Sequence, residues 1–153
     1  MALSPQELIL PRADYYQVFA DIDGDDLPRA ALAVEDRPIT VMMVDIRGFT
    51  ALTGSWPADK TVAALNHFLA IANAEIFARN GTIDKYLGDA VLAFWNAPVE
   101  QPGHADLAIE AAQAIVARVE RENASLTTKG LPALSVVAAA ETGTCSVGNM
   151  GTA

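Results

Sequence analysis

The sequence predicts an α+β domain of ferredoxin-like type, a βαββαβ chain whose antiparallel sheet is covered by helices on one side. Three observations predict it. An apolar run at residues 39–46 reads as a buried strand, two stretches of apolar residues repeat at steps of three and four, and between those stretches two short apolar segments are joined by Gly88 and Asp89 alone. Two residues leave no room for a crossover, so the short segments form a hairpin. The order is then strand, helix, strand, strand, helix, strand, which in one sheet gives the split βαβ arrangement.

Residues 1–38 hold eight of the 19 acidic residues and read as an acidic leader or linker, with a short helix around PQELI. The cluster DIDGDD at 21–26 lacks the donor spacing and terminal Glu of a calcium loop, so it reads as solvated chain or a packed arm. The domain proper is expected over 39–153, and its first strand, 39–46, is apolar on both faces as a central strand should be. Ser55 and Pro57 mark a helix start, Ser as a cap and Pro in the first turn. Val62, Leu65, Leu69, Ala72 and Ile76 then form the stripe that faces the core, and Asn80 and Gly81 close the helix, with Gly81 in the left-handed position.

The hairpin strands are 82–87 and 90–95; Phe94 and Trp95 alternate on the second, so at most one is expected in the core, as packing or dimer surface. After Pro102 and Gly103 a second helix repeats the spacing in Ala105, Ile109, Ala112, Val116 and Val119 and is expected to end before Asn123. Residues 134–140 make the last main strand, a turn follows at 141–143, and a short strand ends at Gly148.

Bulk properties narrow the function. A chain of 153 residues is about one domain and needs neither metal nor disulfide to fold. Its net charge of -9, with ten scattered Lys and Arg, repels phosphate backbones, so no nucleic acid partner is expected. Charged residues interrupt every apolar run before a membrane-spanning length is reached. The lone Cys145 can form no intrachain disulfide, which fits a reducing, cytoplasmic setting.

The chemistry gathers at two carboxylates. The first strand ends on Asp45 and the hairpin turn carries Asp89, and in the predicted topology these ends lie side by side. Two neighbouring carboxylates repel unless a cation or a proton lies between them, and hard oxygen donors suit Mg²⁺ or Mn²⁺. Zinc is disfavoured, because His67, His104 and Cys145 are far apart and lack ligand spacing. Beyond Asp45, the amides of Ile46, Arg47, Gly48, Phe49 and Thr50 form a tight turn before a helix, a geometry that can cradle phosphate. A metal beside a phosphate cradle suggests a nucleoside triphosphate.

DIRGFT at 45–50, GTIDKYLGDAVLAFWNAP at 81–98, HADLAIEAA at 104–112 and TGTCSVGNMG at 142–151 together resemble the catalytic domain of class III nucleotidyl cyclases, the adenylate and guanylate cyclase family. The resemblance implies that Asp45 and Asp89 bind two divalent ions, with the Ile46 carbonyl adding a ligand, and that Arg47, Gly48, Phe49 and Thr50 hold phosphates, Phe49 also plugging the core. Lys85 falls where the family reads the purine. An ammonium there donates to adenine N1, whereas guanine N1 carries a proton, so ATP is expected over GTP. The implied reaction is in-line attack of the ribose 3'-hydroxyl on the α-phosphate, giving 3',5'-cyclic AMP and pyrophosphate, at a site shared by a head-to-tail homodimer. Regulatory domains are compatible with this in a full-length protein.

The sequence also departs from the family. VAAAETG at 137–143 stands where glycines and isoleucines are usual, with Glu141 in place of Asn or His. The family continues past NMG with a VIGD-like loop, an Asn that orients the ribose and an Arg for the transition state, while these 153 residues end at Ala153. The domain is therefore expected to be incomplete at its C-terminus and, as it stands, nearly or wholly inactive. Two other readings compete: a nonenzymatic regulatory or nucleotide-binding pseudo-cyclase domain, and an unrelated ferredoxin-like binding domain whose carboxylates are solvated strand ends.

Overall fold

The computed structural model describes residues 34–148. Its elements are β1 (Glu35–Ile46), α1 (Phe49–Ser55), α2 (Ala58–Phe77), β2 (Thr82–Leu87), β3 (Ala90–Trp95), α3 (His104–Thr128) and β4 (Val136–Val147). The strands form one sheet in the order β2-β3-β1-β4, every neighbouring pair antiparallel, and α2 and α3 pack on one face. This is the α+β, ferredoxin-like layout that the order of apolar segments predicts. The readings of PQELI and DIDGDD fall on residues outside those described.

Strand alternation sorts the side chains. Met42, Val44 and Ile46 of β1 and Val91, Ala93 and Trp95 of β3 join Phe68, Ile71, Ile76, Ile115 and Val119 in the main core beneath the helices. The intervening residues, Val41, Met43 and Asp45 among them, lie on the other face. That face also has a small core of its own at one end, where Ile39, Phe94, Ala97 and Val147 are buried together. Trp95 alone of the alternating pair lies in the main core, as the alternation predicts, while Phe94 is buried too, in the small core on the opposite face, which the sequence reading did not foresee. Trp95 is further held by its Nε1 donating to the Arg79 carbonyl at 2.9 Å.

Several boundaries differ from the sequence reading, each for a local reason. β1 begins at Glu35 rather than at residue 39, because the partner β4 runs alongside it from Glu35↔Val147 to Ile46↔Val136. β4 is correspondingly one strand of 12 residues, with no turn at 141–143. An extra helix, α1, occupies 49–55; Ser55 is its last residue, donating to the Ala51 carbonyl, and Pro57 is the N-cap of α2 rather than a first-turn residue.

The stripe of α2 is rotated from the predicted one: Thr61, Ala64, Phe68, Ile71, Ala72 and Ile76 are buried, Leu65 and Leu69 are partly buried, and Val62 is exposed. Burying Phe68 rather than Val62 removes more apolar area from water, and Ala64 lets the helix approach the sheet. On α3 the buried set is Ala108, Ala111, Ile115, Val119 and Leu126, so Ile109 is exposed, and the helix continues past Asn123 to Thr128. Asn123 ties the helix to the segment before β4 by a pair of bonds between its side chain and the backbone of Leu134, each 2.8 Å.

The end of α2 also differs in which residue does what. Asn80, not Gly81, takes the left-handed conformation, at φ 57°. Gly81 is required for space instead: a Cβ there would lie 2.6 Å from the Trp95 ring and 2.7 Å from Ile76 Cγ2.

Candidate active site

Asp45, next to last in β1, lies on the face away from the helices and pairs with Ala90, the residue after Asp89. The two-residue turn, with Gly88 left-handed at φ 63°, brings Asp89 back over the end of β1. The sheet therefore brings the two sequence-predicted carboxylates into hydrogen-bonding contact. The contact with Asp89 raises the Asp45 pKa from 3.8 to about 6; desolvation and the Asp89 charge add to the rise, and a hydrogen bond from the Ile46 amide opposes it. Asp45 Oδ1 is buried without a hydrogen-bond partner among the described residues. A buried, orphaned carboxylate oxygen beside a second carboxylate is what a hard divalent cation would satisfy, so the donors present fit Mg²⁺ or Mn²⁺. No group of three His, Cys, Asp or Glu side chains gathers among the described residues, leaving the remaining ligand positions to backbone carbonyls, water or phosphate.

The turn after Asp45 is more divided than the sequence suggests. The Ile46 side chain is buried in the main core, and Phe49 packs against that core as expected of a plug. The Arg47 amide donates to the Ser135 carbonyl at 2.7 Å, while its side chain is exposed. Gly48 is left-handed at φ 66° and caps α1, whose first internal bond runs from the Leu52 amide to the Gly48 carbonyl. The amides of Phe49 and Thr50 precede that bond and face no helical acceptor.

Lys85 pairs with Leu92 of β3, and Asp45 pairs with Ala90 two residues away, so Lys85 and Asp45 flank β3 on the same face of the sheet. The side chain of Lys85 is 36% exposed and its Nζ lies 3.4 Å from Oδ2 of Asp84, which is fully buried. Sequence reasoning missed Asp84. Its only signal was an acid next to a lysine, and nothing in the hydrophobic pattern announces that the strand is irregular there.

No family model matches the chain. Among curated proteins, the chain is 34% identical over 113 residues to Adenylate cyclase 1 of Rhizobium meliloti, covering 74% of this chain and 17% of that protein. It is 42% identical over 94 residues to an uncharacterized protein of Mycobacterium tuberculosis, covering 61% of this chain and 18% of that one. The chain thus spans under a fifth of the curated relatives it matches. Among solved structures, the guanylyl cyclase Cya2 and the adenylyl cyclase CyaB from P. aeruginosa each align at 30% identity and a TM-score of 0.74 over 79% of this chain, and over 61% and 63% of their own. The matched strand order, the Asp45–Asp89 pair at the expected strand ends and these likenesses converge: the chain belongs to the class III adenylyl and guanylyl cyclase family, and its described residues form part of a nucleotidyl cyclase catalytic domain.

Proposed function

We propose that this domain serves an adenylate cyclase that converts ATP to 3',5'-cyclic AMP and pyrophosphate, working as a homodimer in the cytoplasm. The observation that supports it best is the contact between Asp45 and Asp89 at the open end of the sheet, with a buried Asp45 oxygen left unsatisfied. Asp45, Asp89 and the Ile46 carbonyl would hold two divalent cations, which supply positive charge where negative charge develops on the ribose 3'-oxygen and the phosphates.

The chain's own residues do the rest of the work. The rigid ladder of β1 with β3 and β4 fixes the carboxylates before substrate arrives, so no ordering cost falls on the reaction. Gly48, Phe49 and Thr50 offer backbone amides to phosphate oxygens and Arg47 its exposed side chain; the Arg47 amide, already donated to Ser135, serves the turn rather than the substrate. Lys85 presents an ammonium donor that adenine N1 can accept and guanine N1 cannot. An Arg and an Asn of the kind the resemblance implies for the transition state have no counterpart among these 153 residues, so they alone turn over ATP slowly or not at all.

Isothermal titration tests the core of this reading. Mn²⁺ added to the chain should release heat that Asp89→Ala abolishes, and equal heats from both would sink the assignment. A pseudo-cyclase would bind Mn²⁺ and ATP equally well, so silence of a catalytically complete version in a cyclic AMP assay would move the conclusion to that reading.

A further inference from the structure

β2 holds one residue more than the stretch of β3 beside it: the register passes from Ile83↔Ala93 to Lys85↔Leu92 and gives Asp84 no place in the ladder. An inserted residue of this kind bends the strand and re-aims a side chain. In a regular strand, neighbouring side chains point to opposite faces and cannot pair with each other. Here the irregularity lets them do so. Asp84 is withdrawn from solvent along its whole side chain, Lys85 remains partly exposed, and Lys85 Nζ stands 3.4 Å from Asp84 Oδ2.

Burying a carboxylate is unfavourable unless charge and hydrogen bonds compensate it, so its presence inside a strand of six residues calls for a reason. Lysine is a compact charge on a flexible four-carbon stem, and an unanchored ammonium samples many positions. A fixed acid beneath it narrows that range.

We propose that Asp84 is a positioning residue for base selection: its buried carboxylate holds the Lys85 ammonium over the open face of the sheet, where it meets the ring acceptor of an adenine nucleotide. The inference rests on reading Lys85 as the base contact, and it assigns to the bulge in β2 the task of pairing two adjacent residues. Asp84 does not touch the nucleotide. Its effect is confined to the part of binding that depends on the base.

Binding of ATP and GTP to the 153-residue chain with Mn²⁺, measured by titration calorimetry, tests this with Asp84→Asn and Lys85→Ala. Asp84→Asn should weaken ATP roughly tenfold and leave GTP within about twofold, since the loss is of one aligned, charge-assisted hydrogen bond. Lys85→Ala should narrow the ATP preference at least as far. If Lys85→Ala leaves the preference intact, the base-contact reading itself fails. If Lys85→Ala narrows it but Asp84→Asn does not, or Asp84→Asn weakens both nucleotides equally, Asp84 is a structural residue and the inference is overturned. Should Asp84→Asn fail to fold, the unsubstituted chain decides. It has only three lysines, so after reductive ¹³C-methylation the Lys85 signal can be assigned by its absence in Lys85→Arg. A Lys85 resonance displaced from those of Lys60 and Lys129 supports the anchor, and one that coincides with them overturns it.

Discussion

Asp45 and Asp89 meet carboxyl to carboxyl, and that contact is the largest cause of an Asp45 pKa of about 6. A carboxylate whose folded pKa is raised lends stability that is present below its unfolded value and lost as pH rises through the folded one. For Asp45 the loss runs from about pH 4 to pH 6.

Asp89→Asn is therefore expected to unfold at a higher temperature than the unsubstituted chain at pH 7.5 without metal, and at nearly the same temperature at pH 4. With Mn²⁺ in excess the order should reverse, because a ligand that binds only the folded state raises its stability by mass action. Thermal unfolding followed by circular dichroism, with and without Mn²⁺, checks both halves. A variant less stable under every condition would show that the pair is not strained.

A second pH effect has the opposite sign. Glu122 and Arg118 of α3, Glu75 of α2 and Arg79 just beyond it form a continuous chain of ion pairs, with links of 2.7 to 3.0 Å. The Arg79 hydrogen bond chiefly lowers the Glu75 pKa, and the Arg118 hydrogen bond chiefly lowers that of Glu122. Their stabilisation is present above the ordinary glutamate pKa and disappears as pH falls through the lowered values. Glu75→Gln should cost about 1 kcal/mol at pH 7, the pairs being partly solvated, and nothing measurable at pH 2. Urea midpoints at the two pH values are the measurement.

The junction of α2 and β2 separates two kinds of substitution. Gly81→Ala forces a methyl into the Trp95 ring and should destabilise by about 1 to 3 kcal/mol. Asn80→Gly relieves a left-handed residue without adding an atom, and should change stability by less than about 0.5 kcal/mol. If the two substitutions cost the same, steric contact with Trp95 is not what selects glycine.

Self-association should involve the face that bears Asp45. Val137, which pairs with Asp45, is 44% exposed there and Leu87 is 47% exposed. Val137→Asp places a carboxylate on that surface and should weaken any dimer at least tenfold, an effect of about 1.4 kcal/mol or more. Sedimentation equilibrium with and without ATP and Mn²⁺ measures it; a chain that stays monomeric at high concentration under both conditions removes the homodimer from the proposal for these residues.

The fold and the carboxylate pair were legible in the sequence because both rest on strong local signals. A hairpin link of two residues admits few geometries, and an acid at the end of an apolar run has little reason to be there except function. The helix faces were less legible. In α2 and α3 alanine occupies both the true stripe and its neighbour, so the spacing of larger residues alone places Val62 and Ile109 inside when Phe68 and Ile115 are the ones enclosed. The single long β4 was hidden by Glu141, Thr142 and Gly143, which look like a turn; their exposure and the twelve-residue match to β1 let them continue the strand. Asp84 was invisible for a related reason, since a bulge is settled by the partner strand and not by the residue itself.

The pairing of β1 with β4 has a consequence for the order of events during synthesis. Asp36 and Ser146, joined by a side-chain hydrogen bond, are 110 residues apart in the chain, whereas only α1, α2 and β2 separate β1 from β3. Contacts between distant segments carry the larger closure cost and slow folding. On a ribosome, Asp45 and Asp89 can come together as soon as β3 has emerged, while the strand that flanks Asp45 on its other side is still being made. For that interval the two carboxylates would stand on a half-built sheet, with the strand that completes their surroundings still to come.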